Sequence, residues 1–253
     1  MFRPRFIPVL LLRDKGLVKT VQFGKSRYIG DPLNAVQIFN KLKTDELVFL
    51  DINASKEGRS IAADLVKEIG DEAYMPFAVR GGIHTLAQAE KLINAGAEKV
   101  VLNTAAYTNM NLITEIANVF GRQSIIVSID VKKNLFGKYK VYVKSGTMKT
   151  GLDPVDFAKK VEDKGAGEIL ITSIKHEGMM NGLNIDLITS IHQTVSLPVI
   201  AHGGVNSLQH FKEGIDNGAS AVAAGSFFVY AGKQNGILIN YPSKTELKNI
   251  FLK

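Results

Sequence analysis

The sequence predicts a (β/α)8 TIM barrel assembled from two similar halves, and two observations carry that prediction. Eight apolar runs alternate with helix-like patterns along the 253 residues. A stretch of the first half also recurs in the second: MPFAVRGGIHTLAQAEKLINAGAEKVVLNTAAY (75–107) parallels LPVIAHGGVNSLQHFKEGIDNGASAVAAGSFFV (197–229). Pro76 and Pro198, Gly81 and Gly203, and Gly96 and Gly218 all stand 122 residues apart, and Glu46 and Glu168 keep the same offset. Eight strand–helix units with a half-length repeat close most simply into a barrel. A doubly wound open sheet explains the alternation but not the constant offset.

In chain order the strand candidates are FIPVLLL (6–12), ELVFLDI (46–52), PFAV (76–79), KVVLN (99–103), SIIVSID (124–130), EILITS (168–173), LPVIA (197–201) and SAVAAG (220–225). Most are continuous rather than alternating, as expected of strands buried on both faces of a parallel sheet. Helix signals lie between them. Asp31-Pro32 supplies an N-cap followed by proline at the first helical position, and Ser243 with Glu246 forms a capping box that opens the last helix. No linker or shift of composition appears, so residues 1–253 are read as one barrel domain.

Composition narrows the function. The absence of cysteine excludes disulfides and thiolate metal sites, and no His/Asp/Glu cluster has ligand spacing, so neither metal nor cofactor is expected. The start, MFRPRFIPVLLLRDKG, is interrupted by Pro8, ends at Arg13 and lacks a small-residue cleavage site, unlike a signal peptide. No apolar stretch approaches the roughly 20 residues that span a bilayer, and a cytoplasmic protein is expected. The net charge of +7 is spread along the chain. Its densest cluster (Lys132, Lys133, Lys138, Lys140, Lys144, Lys149) falls in a hairpin pattern and reads as a solvated face rather than a nucleic-acid site. An anionic small substrate suits the charge.

Barrels place their chemistry at the carboxyl ends of the strands. Gly81-Gly82 follow the third strand and Gly203-Gly204 the seventh; Asn103-Thr104 and Gly225-Ser226 end the fourth and eighth. Glycine lets backbone N–H groups approach an anion, and a hydroxyl adds a donor. One such pair would be an ordinary tight turn. Two at repeat-equivalent positions predict two phosphate sites across one barrel mouth.

These stretches, with GDP (30–32), DELVFLDI (45–52), GGI (81–83), NTAA (103–106), SID (128–130), GAGEIL (165–170) and GG (203–204), resemble the cyclase subunit of imidazole glycerol phosphate synthase over nearly the whole length. The resemblance implies a substrate with a phosphate at each end, held near Lys19, Asp51, Arg80, Thr172 and Glu177. It also implies a glutaminase partner on the opposite face that sends ammonia through the barrel. Two aspartates serve that family as general acid and base, and Asp130 fills the fifth-strand position. The first-strand position is Leu11, which cannot transfer a proton; such catalysis typically contributes ~10²–10⁴-fold. Asp14 is an ordinary loop acid, whereas His176 and His202 are candidate substitutes. Arg80 replaces a glycine and His202 a small hydroxyl residue, so the central pocket is expected to differ.

The opposite end is unaltered. Arg5, Glu46, Lys99 and Glu168 match the charged ring that gates ammonia in the family, and Glu98 matches an acid that contacts the glutaminase. PVLLL (8–12), GLVKTVQF (16–23), YIGDPLNAVQIFN (28–40), VKKNLFGKYKVY (131–142) and ILINYPS (237–243) resemble a paralogous branch linked to amidation of surface-polysaccharide sugars. That resemblance implies an ammonia-delivering subunit serving a phosphorylated or nucleotide-linked sugar, with a sugar amidotransferase as a further partner. A histidine-pathway cyclase and a non-catalytic phosphate-binding scaffold remain the alternatives.

Overall fold

The computed structural model describes residues 4–232 and 234–251, so the basic start Met1–Arg3 lies outside the described residues. Eight parallel strands form the barrel: Arg5–Arg13, Leu47–Asp51, Phe77–Arg80, Lys99–Leu102, Ile125–Lys133, Glu168–Ser173, Val199–His202 and Ala221–Ala224. Each pairs with the next, and the eighth returns to the first with Ala221 opposite Arg5 and Ala224 opposite Pro8. That closing pair excludes the open sheet. Every predicted strand is present with small changes at its ends.

The helices form where their caps predict. The Asp31 side chain accepts from the Asn34 N–H at 2.9 Å ahead of helix Pro32–Leu42. Ser243 accepts from the Glu246 N–H at 3.2 Å while Glu246 accepts from the Ser243 N–H at 2.8 Å, which completes the box before Lys244–Phe251. The repeat extends to these caps. Thr85 and Ser207, 122 residues apart, cap helices Leu86–Asn94 and Leu208–Asp216.

Successive side chains on a strand point to opposite faces, and here each face enters its own apolar cluster. Phe6, Leu10 and Leu12 of the first strand pack between sheet and helices. Ile7, Val9 and Leu11 pack inside the barrel with Val48, Leu50, Ala78, Val101, Ile126, Leu170, Ile200, Ala221 and Ala223. Only the middle leucine of the run therefore looks into the barrel.

Two antiparallel extensions rise from the carboxyl end. Gly16–Lys19 folds back on the first strand, with Val18 opposite Leu11, and Arg27–Gly30 pairs with it in turn. Tyr139–Val143 folds back on the fifth strand, followed by Met148–Lys149, which forms the expected lysine-rich hairpin. Among the described residues no helix is long and apolar enough to cross a membrane.

Candidate active site at the carboxyl-end mouth

Strand parity places Leu11, Leu50, Arg80, Asp130, Thr172 and His202 near the carboxyl end of the barrel interior. A cavity of about 280 Å³ opens above them, lined by Leu11, Arg80, Thr172 and His202 from the strands and by Asp51, Glu177 and loop residues above. Leu11 is 7% exposed and contributes only hydrocarbon.

Asp130 does not line this cavity. It is fully buried and held by the Arg80 guanidinium, with Nη2–Oδ2 at 2.7 Å and Nη1–Oδ1 at 3.3 Å. Ser128 donates to Oδ1 at 3.0 Å and accepts from Arg80 Nη1 at 2.9 Å. A two-pronged guanidinium contact of this kind fixes both partners. Arg80 therefore lies between Asp130 and the cavity, engaged with the carboxylate.

His202 stands beside this pair. Its Nδ1 is 3.1 Å from Thr172 Oγ1. Burial pushes its imidazole down to about 4; Glu177 and Asp130 pull upward while Lys19 and Arg80 push further down. The ring is neutral at neutral pH and suited to hydrogen bonding. His176 is elsewhere: it lines a separate recess with Lys133, Tyr139 and Lys175, its Nδ1 2.7 Å from Ser173 Oγ. Burial, then Lys175 and Lys133, lower its pKa. Asp14 is an exposed turn residue with φ of 57°.

Lys19 and Glu177 form a buried ion pair. Glu177 also accepts from Thr20 Oγ1 at 3.2 Å and the Phe23 N–H at 3.3 Å, which ties the loop after the first strand to the loop after the sixth. The Lys19 side chain lies over Gly225. Together with Gly203, Gly204, Gly225 and Ser226 it lines a narrow cavity of about 10 Å³. Four of the predicted phosphate-cradle residues thus converge around one cation.

The glycine pairs also meet a packing demand. A Cβ on Gly204 (φ +101°) would lie 2.0 Å from the Gly182 carbonyl oxygen, and one on Gly82 (φ +57°) 1.8 Å from that of Arg59. Backbone bonds close around both pairs: the Gly182 N–H donates to Gly204 O and the Ile61 N–H to Gly81 O, both at 2.8 Å. Beside Gly81-Gly82, Asn103 donates to Ser128 O at 2.9 Å while its own buried Oδ1 has no partner among the described residues, and Thr104 accepts from the Lys144 N–H at 3.1 Å. Asp51 accepts from the N–H groups of Asn53 and Ala54 at 3.0 Å and binds Arg59 at 2.6 Å, which shapes its loop.

At the opposite end Arg5, Glu46, Lys99 and Glu168 close a ring of alternating charge. Arg5 reaches Glu46 at 2.6 Å and Glu168 at 2.7 Å; Lys99 reaches Glu168 at 2.7 Å and Glu46 at 3.5 Å. Burial raises the Glu46 pKa against the pull of Lys99 and Arg5. Burial acts the same way on Glu168, but hydrogen bonding and charge from Arg5, with Lys99, outweigh it and hold that carboxyl below the ordinary range. Glu98 is exposed beside the ring.

Arg13, Lys25, Asn53, Lys56 and Ser145 also line the main cavity and were not anticipated from sequence. Arg13 ends the first strand and the other four come from three loops, and nothing local marks them. The Ser145 hydroxyl donates to Ile52 O at 2.9 Å, joining two of those loops.

Residues 5–235 match the model of a family described as histidine biosynthesis protein. The chain belongs to that family. Within it, the relatives are of the HisF type. A Leptospira borgpetersenii protein provisionally named imidazole glycerol phosphate synthase subunit HisF is 45% identical over 253 residues, covering 99% of this chain and all of its own length. The hisF3 protein of Vibrio vulnificus, also provisionally named such a subunit, is 44% identical over 98% of this chain and 96% of its own. The Alkaliphilus metalliredigens protein named imidazole glycerol phosphate synthase subunit HisF is 42% identical, covering 91% and 92% respectively. Among the described residues of this HisF-type chain, no group of three or more His, Asp and Glu side chains is placed to hold a metal.

Proposed function

We propose that this barrel is the ammonia-receiving subunit of a glutamine amidotransferase complex. In this reading a glutaminase docks at the amino-terminal ring beside Glu98, and ammonia crosses the barrel to a phosphate-bearing acceptor at the carboxyl-end mouth. The acceptor class is a phosphorylated or nucleotide-linked sugar of surface-polysaccharide synthesis, and a sugar amidotransferase is the next partner.

One observation carries the departure from histidine-pathway cyclisation. Leu11 faces the barrel where that reaction needs a carboxylate, and the remaining acid, Asp130, is buried under Arg80. General acid–base work needs a group within hydrogen-bond reach of the substrate proton, and Arg80 separates Asp130 from the cavity. The barrel's middle supports ammonia transit. Ile7, Val9, Val48, Ala78, Val101 and Leu170 present only hydrocarbon, which admits neutral ammonia but strongly disfavours ammonium. The charged ring below would act as the gate, and Lys19 with Gly203, Gly204, Gly225 and Ser226 would receive a phosphate once the lysine turns from Glu177.

The test is ammonia-dependent turnover of the cyclase bisphosphate substrate by the full chain, with Leu11→Asp and Leu11→Asp/Arg80→Gly alongside. No turnover by wild type, with activity appearing in the double variant, supports the proposal. Enzyme-like turnover by wild type overturns it and selects the cyclase reading, which the names of the relatives favour. A second arm measures a HisF-associated glutaminase with and without this chain; absence of stimulation refutes the docking.

A further inference from the structure

We propose that the hairpin after the fifth strand is a docking device for an anionic lipid surface, with Leu135 and Phe136 inserting and the surrounding lysines contacting the headgroups. This stands apart from the ammonia reading, because it concerns the rim of the carboxyl-end face rather than the barrel interior.

The tip is built to present its apolar side chains. Asn134 Oδ1 accepts from the N–H groups of Phe136 and Lys138, both at 2.9 Å, and the Asn134 N–H donates to Lys138 O at 2.9 Å. Gly137 completes the turn at φ +74°, with open space where a Cβ would be. Leu135 is 103% exposed and Phe136 87% exposed, adjacent at the outermost point of the turn. Single exposed apolar residues are commonplace; an adjacent Leu-Phe pair held outward by its own turn hydrogen bonds is not.

The charge around the tip is unbalanced. Residues 131–152 contain six lysines and no Asp or Glu. Lys132 stands directly opposite Lys140 across the two strands, an arrangement of like charges that destabilises a hairpin. Lys133 lies 4.8 Å over the Tyr139 ring, and none of the six has a carboxylate partner among the described residues. A recess of about 390 Å³ at the hairpin's base adds Lys175 and His176 to Lys132 and Lys133, with Asp186 as its acid. A charge-frustrated hairpin is relieved by an external anion.

Three features favour lipid over protein. The patch is protruding rather than concave or flat. Its cations are all lysine, a type depleted in protein–protein interfaces, whereas lysines near an anionic leaflet each strengthen association. Apolar tip residues beneath a basic collar also match the pattern of side chains that enter the interfacial zone. The hairpin lies at the opposite end of the barrel from the Arg5–Glu46–Lys99–Glu168 ring, so lipid contact leaves that ring free.

The chain contains no tryptophan, so Phe136→Trp places a sole indole at the tip. The full-length variant is mixed at low salt with vesicles of phosphatidylcholine alone or with phosphatidylglycerol added. The expected result is a blue shift of emission with the anionic vesicles only, reversed by high salt. Sedimentation with the same vesicles is expected to fall roughly tenfold or more for Leu135→Ser/Phe136→Ser, with thermal melting unchanged because both positions are solvent-exposed. Lys132→Gln/Lys140→Gln is expected to weaken sedimentation by a similar factor. No association with anionic vesicles overturns the proposal. So does association that ignores the tip substitutions or leaves the indole emission unshifted, since either would report only the net positive charge. Tip-dependent binding to an acidic protein or to nucleic acid, without vesicle binding, overturns it as well.

Discussion

His202 gives the most quantitative test of the mouth. Its imidazole is held down to about 4 in the folded barrel by burial, against about 6.5 in an unfolded chain. The folded-state value is depressed, so the stability associated with a neutral ring is complete above about pH 6.5 and is lost as pH falls toward 4. Near pH 4.5 the unfolded chain binds about one proton at this site and the folded chain about a quarter of one. Integrating from about pH 7.5, the native state loses about 2.5 kcal/mol through this group. For a chain of this size that is a fall in Tm of about 5–10 °C. The assay is thermal melting across this pH range for wild type and His202→Asn, whose side chain can still hydrogen-bond Thr172. Other acid-sensitive groups act equally on both proteins, so the difference between the two curves isolates His202. The wild type should lose more stability by about the amount given. Parallel curves would show that His202 takes its proton at an ordinary pH and would refute the reading of a neutral, buried imidazole at the cavity floor.

Three further outcomes are expected. Arg80→Leu should destabilise by about 3–5 kcal/mol, because Asp130 is left buried and unpaired, and Arg80→Leu/Asp130→Leu should recover most of that loss; denaturant midpoints of wild type, Arg80→Leu, Asp130→Leu and the double variant give the coupling directly. Gly204→Ala should lower stability by about 2–3 kcal/mol more than Gly137→Ala, since both positions have positive φ but only the first would drive a Cβ into a carbonyl oxygen. Equal losses would show that backbone conformation alone requires the glycine. Lys99→Met leaves Glu46 and Glu168 with Arg5 as their only cation in the ring. If the ring gates ammonia, then in the Leu11→Asp/Arg80→Gly background glutamine-dependent turnover of the cyclase bisphosphate substrate should fall on this change while turnover with added ammonium salts persists, and equal loss in both assays would exclude a gating role.

The eight strands, their order, the half-barrel repeat and the caps at Asp31 and Ser243 were legible in the sequence, because each rests on local pattern. An apolar run buried on both faces, a Ser–Glu box and a glycine beyond a strand carry their meaning within a few residues. The charged ring was legible too, since Arg5, Glu46, Lys99 and Glu168 stand at strand starts and parity aims them together. The HisF-type family could likewise be read from short motifs.

What the tertiary structure decided concerns residues that meet across the barrel. VLLL has no alternation of its own to show which leucine faces inward; only the resemblance pointed to Leu11, and the closed barrel places its side chain in the interior. Arg80 and Asp130 are 50 residues apart on non-adjacent strands, and they meet only because both point inward in the same layer. The sequence therefore left Arg80 as a substrate-pocket residue with no partner named, and the fold engages it with Asp130 while it still lines the cavity. Lys19 and Glu177 pair over 158 residues, and Lys25, Lys56 and Ser145 reach one cavity from three loops. Local patterning determines strands and helices because their periods are short-range. Which charges neutralise one another and which face a ligand depends on distances set by barrel closure, and one chain's sequence order does not encode those distances.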